Sequence, residues 1–183
     1  MTRYYLLLIT ILLAGCSKKG DPAGAEPAEY YLRFKAEGLQ QEYRQVTSAH
    51  LYYDAENLAY HCNLTAALDI SAPTRNILSL FLVNKEQYKT GIVYHLRNGI
   101  HMPKTNAVMP QVMISLLNEN GKPYTAQLLP ASWYQFDDMA EVRFSEITDK
   151  HVRGYFSGLA FTAMPERTPM KITDGEFYLS VIR

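Results

Sequence analysis

Residues 30–43, YYLRFKAEGLQQEY, decide how this chain folds. Tyr30, Leu32, Phe34 and Ala36 alternate with Tyr31, Arg33, Lys35 and Glu37, the period of two that belongs to a strand with one buried face. The first set is expected to point inward and the second toward solvent. Glu37-Gly38 then turns the chain into Leu39 to Val46, so the stretch reads as a β-hairpin.

The same pattern recurs to the end of the chain. Leu58, Tyr60, Cys62 and Leu64 alternate with Ala59, His61, Asn63 and Thr65, a half-buried strand, while Asn76 to Val83 is apolar on both sides and reads as a fully buried one. Gly91 to Leu96 continues with Ile92, Tyr94 and Leu96 on one face. Val108 to Leu117 and Tyr124 to Leu129 flank Asn118-Glu119-Asn120-Gly121, whose closing Asn-Gly is a strong hairpin signal. Val142 to Ile147 and Val152 to Phe161 flank Thr148-Asp149-Lys150, and Met170 to Thr173 meets Glu176 to Ile182 through Asp174-Gly175. Only Ser48 to Leu58 and Ser132 to Met139 offer helical alternatives, both short and without clean spacing. Many short strands with close turns imply an all-β domain, an antiparallel β-sandwich, with a lipocalin-like β-barrel as the alternative.

Ahead of this domain lie two segments of different composition. Arg3 supplies a positive start, Leu6 to Ala14 is apolar apart from Thr10, and Gly15 is small, the three parts of a secretory signal over residues 1–15. That apolar stretch is too short for a hydrocarbon core of about 30 Å, which takes roughly 20 helical residues. Leu13-Ala14-Gly15-Cys16 resembles the lipobox of bacterial lipoproteins. The resemblance implies cleavage before Cys16 and acylation of that residue, with each buried CH₂ contributing about 0.8 kcal/mol to anchoring in a bilayer. Residues 17–28, SKKGDPAGAEPA, lack apolar periodicity and read as a flexible tether that reaches up to roughly 40 Å when extended. The domain itself is expected over residues 29–183.

Composition narrows the partners. Lys and Arg together balance Asp and Glu at 18 each, and the charges stay mixed along the chain, so nucleic acid is not an expected partner. With Cys16 lipidated, Cys62 is the one remaining thiol. Stability must then come from a hydrophobic core and not from disulfides. The 14 tyrosines suit half-buried sheet faces and contact surfaces alike.

No local spacing marks a reactive site. The five histidines, at 50, 61, 95, 101 and 151, form no H-x-H or H-x-x-x-H pair, so no metal and no cofactor are expected. Gly154-Tyr155-Phe156-Ser157-Gly158 carries its serine at the wrong spacing for a nucleophile elbow. Its two glycines share a strand face, where they leave room for a bulky neighbour. The segment with the best claim to a ligand is Trp133, Tyr134, Phe136, Asp137 and Asp138, since aromatic faces beside carboxylates suit sugar rings. The alternative places the single Trp in the core and lets the acids solvate a loop.

Beyond the lipobox, VRGYFSGLAF followed by KITDGEFYLSVIR resembles the C-terminal strands of uncharacterised lipoproteins of Bacteroidota. YYLRFKAEGLQQEY and YKTGIVYHL are similar to other strands of the same group. The resemblance implies an all-β domain behind a lipid anchor in a Gram-negative envelope, and it carries no catalytic residue. In that group surface display goes with acidic residues soon after the lipidated Cys, so the resemblance implies that Ser17-Lys18-Lys19-Gly20 after Cys16 favours the periplasmic face of the outer membrane over surface display. The expectation is a non-enzymatic, membrane-tethered module that binds a glycan or an envelope protein. An apolar-ligand carrier and a hydrolase using Asp137, Asp138 and a histidine are the competing readings.

Overall fold

In the computed structural model the described residues are 29–131 and 136–182. The expected signal and tether, Cys16, Trp133 and Tyr134 lie outside them. Thirteen strands follow one another: β1 Tyr31–Ala36, β2 Leu39–Tyr43, β3 Gln45–Asp54, β4 Ala59–Ala67, β5 Ile77–Asn84, β6 Val93–His95, β7 Gly99–Met102, β8 Ala107–Pro110, β9 Val112–Leu117, β10 Pro123–Ala126, β11 Met139–Ile147, β12 His151–Phe161 and β13 Pro169–Ile182. No helix occurs among the described residues, and the domain is all-β.

The opening hairpin forms as its alternation requires. Leu32 and Phe34 are fully buried, and Glu37 and Gly38 both take positive φ, 49° and 83°. That is the type I′ geometry whose twist matches the flanking strands. Hairpins also close at Asn118–Gly121 and Thr148–Lys150, joining β9 to β10 and β11 to β12.

Eleven strands make one sheet in the order β2-β1-β13-β3-β4-β5-β9-β10-β12-β11-β6, and β12 also pairs with β13, so the sheet folds back upon itself. All of its pairings are antiparallel except β13 with β3, where Ser180 stands opposite Ser48. The layer β3-β4-β5-β9-β10 and the layer β2-β1-β13-β12-β11-β6 share one apolar core, consistent with a β-sandwich. A small second sheet, β7-β8, packs Met102 of β7 with Ala59 and Val83 in a satellite core.

The interior is filled by side chains. Rings follow one another from Tyr43 to Phe34 at 5.4 Å, to Phe156 at 6.1 Å, to Phe177 at 6.5 Å, to Phe144 at 5.7 Å and to Tyr88 at 5.6 Å. Gly154 and Gly158 make room within this packing, as their shared face implied: the bulky neighbours are Phe177 and Ile114.

Four local readings change. Ser48 to Leu58 is not helical: its first part belongs to β3, and Asp54 caps the turn that follows by accepting from the backbone N–H of Glu56 and Asn57. Of Ser132 to Met139, the described part is irregular until β11 begins at Met139. Val108 to Leu117 is two strands, because Gln111 leaves the ladder to tie β5 and the β6–β7 connection together. Its Oε1 accepts from His95 N at 3.1 Å and Asn98 Nδ2 at 2.9 Å, and its Nε2 donates to Asn84 Oδ1 at 3.0 Å. Asp174-Gly175 is a bulge inside one long strand and not a hairpin. Asp174 takes φ 52° there, and the register slips against both β1 and β12. A hairpin at that point would have removed the central strand that both neighbours need.

Candidate functional site

The β3–β4 pairing sets Tyr52 opposite His61 and Tyr53 opposite Tyr60. Cross-strand neighbours of this kind lie within ring-contact distance. Tyr52 and His61 stack at 4.9 Å with an interplanar angle of 5°, His50 adjoins the other pair member Tyr52 at 5.0 Å, and Tyr53 lies 4.8 Å from Tyr60. Tyr88, on the connection from β5 to β6, donates its hydroxyl to the carbonyl of Tyr60 at 3.0 Å.

Tyr52, Tyr53, Tyr60, His61 and Tyr88 bound a cleft of about 300 Å³ together with Leu51, Gln87 and Ile147. Leu51, Tyr88 and Ile147 pack against the main core and give the cleft a rigid base. Tyr52 and Tyr53 stand at its rim, 41% and 49% exposed. The cleft therefore offers aromatic surface to solvent on a floor that does not need to move.

Its electrostatics are neutral. Burial lowers the pKa of His61, against the pull of the Asp54 carboxylate 3.7 Å from Nε2, so the imidazole is uncharged at pH 7. Asp54 is held below the usual carboxylate range by the side chain of Asn57, which donates to Oδ2 at 2.7 Å, and by the backbone bonds of its turn. Burial pushes the Tyr88 phenol far up. Every described lining residue is thus apolar or a neutral hydrogen-bonding group, and none is Ser, Thr or Cys.

The segment singled out from the sequence is used differently. Asp138 is 1% exposed. Its Oδ2 accepts from the backbone N–H groups of Gln127 and Leu128 at 3.0 and 3.2 Å, and its Oδ1 pairs with Arg167. The Arg167 guanidinium lies 4.3 Å from the Phe161 ring and 5.4 Å from Phe136. Phe136 and Asp138 therefore meet around Arg167 in a clasp that pins the start of β11 to the β12–β13 connection. Asp137 remains exposed.

The histidines sit apart from Asp138. His95 meets Glu141 at 3.1 Å, His101 meets Asn106 at 3.0 Å and His151 meets Glu146 at 3.2 Å. Among the described residues no three His, Cys, Asp or Glu side chains converge as a metal site would need. Cys62 is fully buried, and burial pushes its thiol up.

The aromatic cleft escaped the sequence because Ser48 to Leu58 reads there only as a possible helix. The signal was the alternation of His50, Tyr52 and Asp54 with Ala49, Leu51 and Tyr53. Read as a strand paired with Leu58 to Leu68, it brings Tyr52 to His61 directly. Compared with family models, curated proteins and solved structures, the chain matches none of them.

Proposed function

We propose that this protein is a lipid-anchored, non-enzymatic binding module of a bacterial envelope, held to the outer membrane through Cys16 with its domain toward the periplasm, and that it seats a neutral glycan in the Tyr52–His61 cleft. The observation that carries the ligand is the cleft itself. Exposed aromatic faces at Tyr52 and Tyr53 stand over a neutral pocket with Gln87, His61 and tyrosine hydroxyls as hydrogen-bonding groups. Sugar rings present an apolar face and a hydroxyl edge, and such a pocket answers both.

A glycan is favoured over an envelope protein because the site is concave and small, whereas a stable protein interface buries about 800 Å² on each partner. The ring chain from Tyr43 to Tyr88 argues against a lipocalin-type carrier, since its rings occupy the interior where an apolar ligand would lie. The anchor rests on Leu13-Ala14-Gly15-Cys16.

A glycan array probed with the whole chain tests the ligand. Binding of neutral oligosaccharides that is lost in Tyr52→Ala supports the reading, and an empty array on folded protein overturns it. Labelling with radioactive palmitate in a bacterial host tests the anchor, and Cys16→Ser must abolish the label.

A further inference from the structure

A second cleft, of about 160 Å³, opens between the β1–β2 hairpin and the turn that joins β9 to β10. Its chemistry differs from that of the aromatic cleft. Phe34, Tyr43 and Leu116 give it a buried apolar floor, and Leu39, at 70% exposure, forms a lip. Two carboxylates, Glu37 and Glu119, line it, and none of its described lining residues is basic.

Tyr43 supplies a further indication. It is 2% exposed, it lines the cleft, and its hydroxyl has no hydrogen-bond partner among the described residues. The oxygen is not among the fully enclosed unpaired polar atoms, so it is open to a donor entering the cleft. Burial pushes the Tyr43 phenol up to about 12, so it stays neutral and offers its oxygen as an acceptor. Of the nearby cations, Lys35 pairs with Asp174 at 2.9 Å and Lys122 lies over the Tyr124 ring at 5.8 Å, while Lys171 meets the Glu37 carboxylate through its backbone N–H.

We propose that this cleft is a second binding site, separate from the aromatic one, for a primary alkylammonium group: the short apolar stem lies on Phe34 and Leu116, and the ammonium faces Glu37, Glu119 and the Tyr43 hydroxyl. An ammonium has three donors and no acceptor, and all three of those groups accept. The apolar floor suits the stem, as lysine stems lie on apolar surface with the charge held outward. The inference does not depend on the glycan reading, since the two clefts share no lining residue.

Titration calorimetry on the whole chain in detergent, with n-butylammonium, n-butanol and n-butyrate as probes, tests it. For a ligand of so few heavy atoms, a Kd of about 1 mM is expected for the ammonium, and binding at least about tenfold weaker for the alcohol and the acid. Glu37→Gln combined with Glu119→Gln should weaken the ammonium at least about fivefold, and Tyr43→Phe, which keeps the ring and the packing, about threefold. Nα-acetyl-lysinamide separates the sources: equal affinity assigns the site to lysine side chains of a peptide, and weaker binding assigns it to free amines. No ammonium binding, equal binding of butanol, or an affinity unchanged in the double variant overturns the proposal.

Discussion

The Tyr52 ring lies parallel to the His61 ring at 4.9 Å and 5°, across the β3–β4 pair, while the His61 Nε2 atom stays 3.7 Å from the Asp54 carboxylate. One face of an exposed tyrosine is thus held by a half-buried imidazole. The side of the cleft is preorganised before any ligand arrives, which limits the ordering cost of binding.

Removal of that aromatic surface should weaken the proposed glycan binding without unfolding the domain. Tyr52→Ala and Tyr53→Ala are each expected to weaken affinity at least about tenfold, roughly 1.4 kcal/mol. Stability should fall by only about 0.5–1.5 kcal/mol, the worth of one aromatic pair. Calorimetric titration and urea unfolding of the same samples separate the two effects.

The lowered pKa of His61 gives stability a definite dependence on pH. Its folded value lies below the unfolded value of about 6.5, so the unfolded chain takes up the proton first as pH falls. The His61 contribution is complete above about pH 6.5 and is lost as pH drops from there through the folded value. Asp54, Asp69, Glu86 and Glu176 have lowered values and act only below the ordinary carboxylate range. Urea midpoints measured between pH 7.5 and 5 should therefore fall less in His61→Gln than in the native chain.

The Asp138–Arg167 clasp is expected to stabilise the fold and to leave ligand affinity alone. Asp138→Ala strands a guanidinium between two rings and frees the N–H groups of Gln127 and Leu128. Loss of one partner from a buried ion pair costs about 3–5 kcal/mol. Urea unfolding should register that loss, and Asp138→Ala combined with Arg167→Met should cost less than the sum of the single changes.

Gly154 is a packing requirement. A Cβ there would stand 2.5 Å from Phe177 Cζ, with the Arg143 carbonyl also in its way. Gly154→Ala should therefore destabilise by about 1–3 kcal/mol through overpacking, and Gly154→Ala with Phe177→Leu should recover part of it. Thermal unfolding of the three variants provides the check.

Cys62 should behave as a core residue and not as a reagent. Fully buried with its thiol pushed up, it should not react with maleimide in the native state and should react once the chain is unfolded in urea. Rapid labelling of the native protein would contradict the position of β4 in the core.

Much of this fold is local information. Leu32 and Phe34 are buried because alternation demands it, and Glu37-Gly38, Asn118–Gly121 and Thr148–Lys150 turn because their residues suit the turns. The all-β class, the main hairpins and the packing role of Gly154 and Gly158 follow from neighbours in the chain. Tertiary structure alone decided that Asp174-Gly175 is a bulge, since two strands from opposite parts of the chain, β1 and β12, both pair with β13. It also decided that β3 runs parallel to β13, that Asp138 belongs to Arg167, and that Tyr52, Tyr53, Tyr60 and Tyr88 meet at one cleft. The reason is physical: periodicity states which face of a strand is buried, whereas the partner that buries it is chosen by long-range pairing. A binding site made from several strands comes into being only when those pairings form.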